Sequence, residues 1–424
     1  MSLLNRVQMI CSLMAVLVLV GTVMAGCATG QGDSANTITL WHGMTDTGKE
    51  TFEQLAAQFE EKHPDFKVNV VYIAQQGEGR NEKLLAAIAG GNPPDVAFFD
   101  RFEVGSWANQ GSLTDLTAMV EESDLDLEGY YPFAVEEASY KGKLYALPMG
   151  TDARMLFYNK DHFREAGIDS PPKTIAELEA AAEKLTIKKG KRFERIGFIP
   201  WLGQGWTYTW GWSFGGDFYD KDKEKVTIES EVVQSLEWMR DYAKKYNIED
   251  VTAFTDSTGS AASDPFLTGQ ISMIVDVNAK ISVINKYKPD LNYDVAPIPT
   301  PTGNDFTTWS GGWSLIMPKG AKNQEAAWEF MKFVAGEEGQ KNYSKNTYNL
   351  SAIDSINQEL YEEDPIMKQF VDLLPSSNHR PVISEGTLLW NELNKARDLA
   401  VRGKGDPRQL MQKVSNKVNK ELEQ

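Results

Sequence analysis

The stretch from Trp201 to Asp217, WLGQGWTYTWGWSFGGD, gathers Trp201, Trp206, Trp210 and Trp212 with Tyr208 and Phe214 among glycines. Glycine at this density interrupts regular elements, so the sequence predicts an aromatic loop rather than a helix or strand. Indole and phenol rings offer large rigid faces with one polar tip, and every buried indole N–H needs an acceptor. Four such rings are costly to satisfy inside a core. They suit a ligand that is apolar on its faces and hydrogen-bonding along its edge, as a sugar ring is. On this reading Trp206, Trp210 and Trp212 face ligand; the alternative is rings that fill a core beneath a long loop.

Such a patch needs elements to hold it, and the chain supplies them in alternation. Ile38 to Trp41 reads as a buried strand, and Lys49 to Lys62 as a helix with Phe52, Leu55, Ala56 and Phe59 on one face. Val68 to Ile73 is a second strand, Glu82 to Ala89 a helix ended by Gly90-Gly91-Asn92-Pro93-Pro94, and Val96 to Phe99 a third strand. This order predicts an α/β sheet, largely parallel, whose ligands lie beyond the carboxyl ends of the strands. That rule selects Trp41 and His42, Gln75 and Gln76, and Asp100 and Arg101. A second unit follows, with Leu156 to Asn159 as a strand end and Thr174 opening a helix with Glu177 three residues on, a capping box. Val232 to Tyr246 reads as a helix, and Ile271 to Val277 and Tyr293 to Ile298 as strands. Asn323 caps a helix that Gly336 stops, and two C-terminal helices carry Leu389, Leu393, Ala396 and Ala400, then Met411, Val414 and Val418.

Two motifs have the letters of other chemistries without their settings. Gly211-Trp212-Ser213-Phe214-Gly215 fits G-x-S-x-G, but a nucleophile elbow needs a strand before it and a histidine base after it. Of the four histidines only His379 comes later. Asp124 to Gly129 begins like a calcium loop, yet the closing acidic position holds Val135 and Pro132 intrudes. No zinc spacing occurs, and neither a metal nor a cofactor is expected.

The amino terminus concerns address rather than fold. Arg6, the apolar run Met9 to Val20, and Met24-Ala25-Gly26-Cys27 form a secretory signal of residues 1–26. A small pair directly before cysteine resembles a bacterial lipobox, which implies lipid on Cys27. Residues 27–36 then read as a flexible tether of roughly 15 to 18 Å. Cys11 leaves with the signal, so no disulfide is expected and buried apolar area must stabilise the chain. At 424 residues the chain exceeds the usual size of one core, and two lobes are the default. A formal charge of −17 argues against nucleic acid and anionic lipid surfaces as partners.

Several segments together resemble the extracellular solute-binding proteins of ATP-driven sugar importers. They include AAIAGGNPPDVAFFDRF (86–102), GKLYALP (142–148), LFYNKDHFREAGIDSPPKTIAEL (156–178), FLTGQISM (266–273), YDVAPIPTPTG (293–303) and SGGWSLIMPKGAKNQEAAWEFMKFV (310–334). The resemblance implies a type II periplasmic-binding-protein-like fold, with a mixed sheet flanked by helices in each lobe and a ligand cleft at the hinge. Lobe 1 would be 37–146 and 296–340, and lobe 2 147–295 and 341–424. The chain would cross near Leu147-Pro148, near Ala296-Pro297 and after the helix that ends at Gly336.

Carried over residue by residue, the resemblance implies that Asp100, Arg101 and Asp152 hold ligand hydroxyls. It draws stacking rings from Trp210 and Trp212, lines the cleft with Gly311, Gly312 and Trp313, and adds Arg380 and Trp390. Asp276-Val277-Asn278 departs from the family pattern of Gly followed by Trp, so Asp276 and Asn278 are expected as polar substitutes for an aromatic contact. The implied function is binding of a carbohydrate, most readily an oligosaccharide, by a monomer that closes on it and delivers it to a membrane permease. Two alternatives stay open. One is a glycerol phosphate or phosphodiester held by Arg380 and Arg101; the other is a secreted hydrolase with Asp100 and Asp152 as its carboxylate pair.

Overall fold

The computed structural model describes residues 36–74, 81–190, 192–255 and 263–423. The expected signal, Cys27 and nearly all of the expected tether lie outside these, as do Gln75 and Gln76. The elements that position the site are, in chain order, β1 (Thr37–His42), α1 (Asp46–Lys62), β2 (Lys67–Tyr72), α2 (Glu82–Ala89), β3 (Val96–Asp100), β4 (Ala146–Thr151) and β5 (Arg154–Asn159). There follow α3 (Ile175–Leu185), α4 (Thr207–Ser213), α5 (Ser230–Tyr246), β6 (Met273–Val277), β7 (Tyr293–Ala296) and β8 (Gly312–Ile316). The last are α6 (Gln324–Ala335), α7 (Glu337–Thr347), α8 (Gly386–Val401) and α9 (Pro407–Leu422).

The first lobe is built on a five-stranded sheet in the order β2-β1-β3-β8-β4. The β2, β1 and β3 strands run parallel, and β8 runs antiparallel to both of its neighbours. Residues β3 Val96 to Phe99 are wholly buried, as a central strand covered on both faces requires. Phe52, Leu55, Ala56 and Phe59 of α1 pack into this core on the face their spacing predicts. The second lobe has the three-stranded sheet β6-β5-β7, antiparallel throughout. A parallel bridge from Ile196 to Ile271 extends that sheet at one edge, so each lobe carries mixed strand directions.

Caps follow the sequence in part. Thr174 accepts from the Glu177 amide at 3.1 Å while the Glu177 carboxylate accepts from the Thr174 amide at 3.0 Å, the expected reciprocal pair. Asn323 precedes α6 but makes no side-chain cap; its amide instead donates to the Thr37 carbonyl at 2.8 Å, stitching the helix to β1.

The crossings between lobes differ from those expected. Leu147 and Pro148 lie inside β4, opposite Leu315 and Ser314, and the chain leaves the first lobe only after Thr151. Ala296 pairs with Leu156 in the second sheet, and the return occurs at Ser310-Gly311 ahead of β8. The helix after Gly336 also stays with the first lobe, because Tyr343 of α7 is buried in its core against Phe52. The third crossing is therefore at Tyr348, whose φ of 57° turns the chain. All three meet at one residue. Thr151 exchanges backbone hydrogen bonds with Leu350, and its hydroxyl donates to the Gly311 carbonyl at 3.0 Å. Short, mutually bonded crossings between two separate cores are the arrangement from which hinge motions are built.

Candidate functional site

Between the lobes, beside these crossings, lies a cleft of about 680 Å³. The first lobe contributes Asp100 at the carboxyl end of β3 and the following single 3-10 turn, Arg101–Glu103. Asp100 starts that turn by accepting from the Phe102 amide at 3.2 Å. Asp152 is brought in by the first crossing, Gly311, Gly312 and Trp313 by the second, and Arg380 and Trp390 by the segment leading into α8 and by α8 itself. Trp206, just before α4, completes the aromatic wall with its ring centre 5.1 Å from that of Trp390. Half-buried Trp313 stacks on Phe98 at 4.6 Å, so one face is held by the core.

The charges in this cleft are organised as pairs. Arg380 donates to Asp100 at 3.1 Å and to the buried Glu137 at 3.4 Å, while its guanidinium lies 4.4 Å from the Phe102 ring centre. Burial raises the Asp100 carboxyl above its usual range, and the Arg380 charge opposes the rise. Asp152 accepts from the Gly311 amide at 2.7 Å and pairs with Arg154, whose guanidinium stacks on Trp309 at 3.4 Å. Trp206 Nε1 donates to Gln204 Oε1 at 3.0 Å, which fixes the ring's tilt. Rigid rings flanked by prepaired carboxylates and guanidinium groups can stack on one face of a polyhydroxylated ligand and hydrogen-bond its edge, with little reordering on binding.

Several expected ligand residues lie elsewhere. Trp210 is 0 % exposed; it donates to the Pro200 carbonyl at 2.7 Å and sits edge-on to Phe198 and Trp238. Trp212 is buried beside it, stacked on Tyr208 at 4.9 Å. Within the stretch Thr207–Ser213 is a helix rather than a loop, and Gly211 lets it pack closely: a Cβ there would collide with the Phe218 ring. Ser213 is also buried, donating to the Pro299 carbonyl at 2.6 Å, so no nucleophile elbow exists.

Arg101 is 0 % exposed, paired with Glu137 at 3.3 Å and bonded to the Gly150 and Gly311 carbonyls. It braces two crossings and offers nothing to ligand. His42 is buried against Phe52 and Tyr72 with neither ring nitrogen hydrogen-bonded, and burial pushes it down to about 4. Trp41 packs on the first core. Asp276 pairs with Lys280 at 3.1 Å, and buried Asn278 accepts from the Ala153 amide and donates to the Tyr348 carbonyl, joining the first and third crossings.

The cleft also holds residues that the sequence reading passed over, among them Arg154, Gln204, Trp309, Asn349 and Glu103. Trp309 had a signal, since Trp309-Ser310-Gly311-Gly312-Trp313 places an indole on each side of a glycine pair. Asp126 only closes a turn by accepting from the Glu128 amide at 2.8 Å. No cluster able to hold a metal occurs among the described residues.

Two discontinuous α/β lobes, three bonded crossings and a cleft between them define a binding protein of the type II periplasmic class. The chain belongs to the bacterial extracellular solute-binding protein family, whose model matches residues 45–341. The maltooligosaccharide ABC transporter solute-binding lipoprotein of Streptococcus pneumoniae is 26% identical over 387 residues, covering 85% of this chain and 84% of its own. The arabinooligosaccharide-binding protein of Bacillus subtilis is 25% identical over 350 residues, 77% of this chain and 76% of its own. Among solved structures, CpMnBP1 with mannotriose bound has a TM-score of 0.80 and 28% identity, over 90% of this chain and 99% of that one.

Proposed function

We propose that this protein is the carbohydrate-binding component of an ABC importer, taking up a neutral oligosaccharide by hinge closure and presenting it to a membrane permease. The observation that carries the reading is the cleft itself. Half-buried Trp206, Trp313 and Trp390 supply stacking faces around Asp100, Asp152 and Arg380, whose charges are already paired. Relatives named for maltooligosaccharide, arabinooligosaccharide and mannotriose support oligosaccharide as the class and do not single out one sugar. The volume of about 680 Å³ falls within the usual range for a small-molecule site. Lipid on Cys27 would hold the protein at the outer face of the cytoplasmic membrane, a reading supported by the Met24-Ala25-Gly26-Cys27 sequence and the lipoprotein relative.

The charge pairing weighs against a phosphate ligand. Arg101 is wholly enclosed, and Arg380 already serves Asp100 and Glu137, so no surplus cation faces the cleft from either. Asp100 and Asp152 are likewise engaged, one by Arg380 and the other by Arg154 and the Gly311 amide, which suits binding rather than hydrolysis.

Calorimetric titration of maltotriose, mannotriose and arabinotriose tests the proposal. One-to-one binding of at least one of them, with the sugar recovered intact, is the expected result. No binding by any oligosaccharide, or turnover of excess sugar, would defeat it.

A further inference from the structure

Beside the main cleft is a second hollow of about 270 Å³, and Glu103 and Thr387 line both. The hollow is walled by Asn81 at the start of α2, by Trp107 and Gln110, and by Glu385 and Leu388 around the start of α8. A ligand that reached from the cleft into this hollow would run beside the two residues they share. We propose that Glu103 is a specificity-determining residue of the cleft, placed where a bound saccharide chain runs from the main cleft into the side hollow and meeting that chain as a hydrogen-bond donor. This rests on the carbohydrate reading and adds to it a single named contact.

The two hollows place Glu103, and its electrostatic surroundings set its role there. Glu103 is 3 % exposed, and its Oε2 accepts from the Asn81 amide at 2.5 Å. The charged groups around it are mostly anionic. Asp100 and Arg101 belong to its own turn, Glu82 to α2, Glu385 stands ahead of α8, and Arg380 is committed to Asp100 and to Glu137 behind it. Burial first, and the Asp100 charge second, push the Glu103 carboxyl up to about 8, against the Asn81 hydrogen bond and Arg380. Below that value the protonated form of Glu103 predominates, with an O–H to give to a sugar hydroxyl or ring oxygen. A hydrogen bond donated to a saccharide oxygen can be made only by the protonated form of Glu103 and favours that form further. Ligand binding then takes up a proton near the upper end of the range, and affinity falls as pH rises through about 8, by tenfold for each unit that the ligand raises this group.

The test is calorimetric titration of the mature protein with maltotriose, mannotriose and arabinotriose between pH 7 and about 9.5, in two buffers of different ionisation enthalpy. The expected wild-type result is a loss of affinity of about tenfold across that range, with proton uptake on binding near pH 9. Glu103→Leu, which has no donor, loses affinity at least tenfold at pH 7. Glu103→Gln, which keeps a donor and cannot ionise, recovers part of that loss and abolishes the pH slope. A flat wild-type profile, or a slope that survives in Glu103→Gln, overturns the inference while the carbohydrate reading stands. Absence of saccharide binding by the wild type at pH 7 overturns both.

Discussion

Exchanging one indole at a time separates the aromatic core from the aromatic wall. Trp210→Ala removes a ring that is 0 % exposed and empties a space bounded by Phe198 and Trp238. Truncations of buried Trp cost about 3–5 kcal/mol. The Pro200 carbonyl also loses its donor at 2.7 Å, about 1 kcal/mol or more for an enclosed acceptor, and the expected loss is therefore near the upper end of that range. Trp206→Ala removes a ring already half open to the cleft, so the unliganded protein should lose only about 1 kcal/mol. The same ring would cover about 60 Å² of a sugar face, worth roughly 1.5 kcal/mol, and its loss should weaken binding about tenfold. Urea unfolding without ligand and titration of an oligosaccharide measure the two quantities. If Trp210→Ala stayed within 1 kcal/mol of wild type and lost binding, the assignment of this helix to the core would be wrong.

Gly312→Ala should destabilise the protein by about 3 kcal/mol or more in the same assay. Its φ of 143° disfavours a side chain, and a Cβ would strike the Arg101 guanidinium and the Gly150 carbonyl. Asp152→Ala leaves buried Arg154 without its carboxylate, an expected loss of about 3–5 kcal/mol; adding Arg154→Met should restore part of it, and a double variant no better than the single would refute the pairing. His42 gives the acid limb of the first lobe. Its folded value of about 4 lies below the unfolded 6.5, so the neutral ring's contribution is complete above about pH 6.5 and drains away as pH falls to about 4, roughly 3 kcal/mol in all. A His42→Phe variant should show a flatter stability profile across that window, and an unchanged profile would assign the acid sensitivity to other groups.

The periodic elements were legible because short-range pattern dictates them: the Phe52-Leu55-Ala56-Phe59 face, the continuous apolar β3 and the Thr174 capping box all depend on neighbours within a few residues. The strand-end rule found Asp100 for the same reason, and Arg101 beside it shows where the rule stops. Carbonyls at 150 and 311 enclose that guanidinium, and nothing local announces them. The lobe boundaries shifted because β8, distant in sequence, pairs with β4 through Ala146 and holds residues 146–151 in the first lobe. Trp210 and Trp212 misled because a glycine between aromatic residues reads alike in an exposed loop and in a helix packed against Phe218. The acceptor that satisfies Trp210 is a carbonyl ten residues away.

The position of β8 in the first sheet has a consequence for how the molecule comes to exist. Residues 312–316 fill the gap between β3 and β4, which precede them by well over a hundred residues in the chain. Until they arrive, the three strands β2-β1-β3 and the lone strand β4 face each other across an unclosed seam, and pairing so remote in sequence is slow. A polypeptide cut short before that strand would present two sticky margins and no finished lobe. The same delay keeps an emerging chain open for longer, an interval that the secretory leader expected in residues 1–26 would use for passage across a membrane.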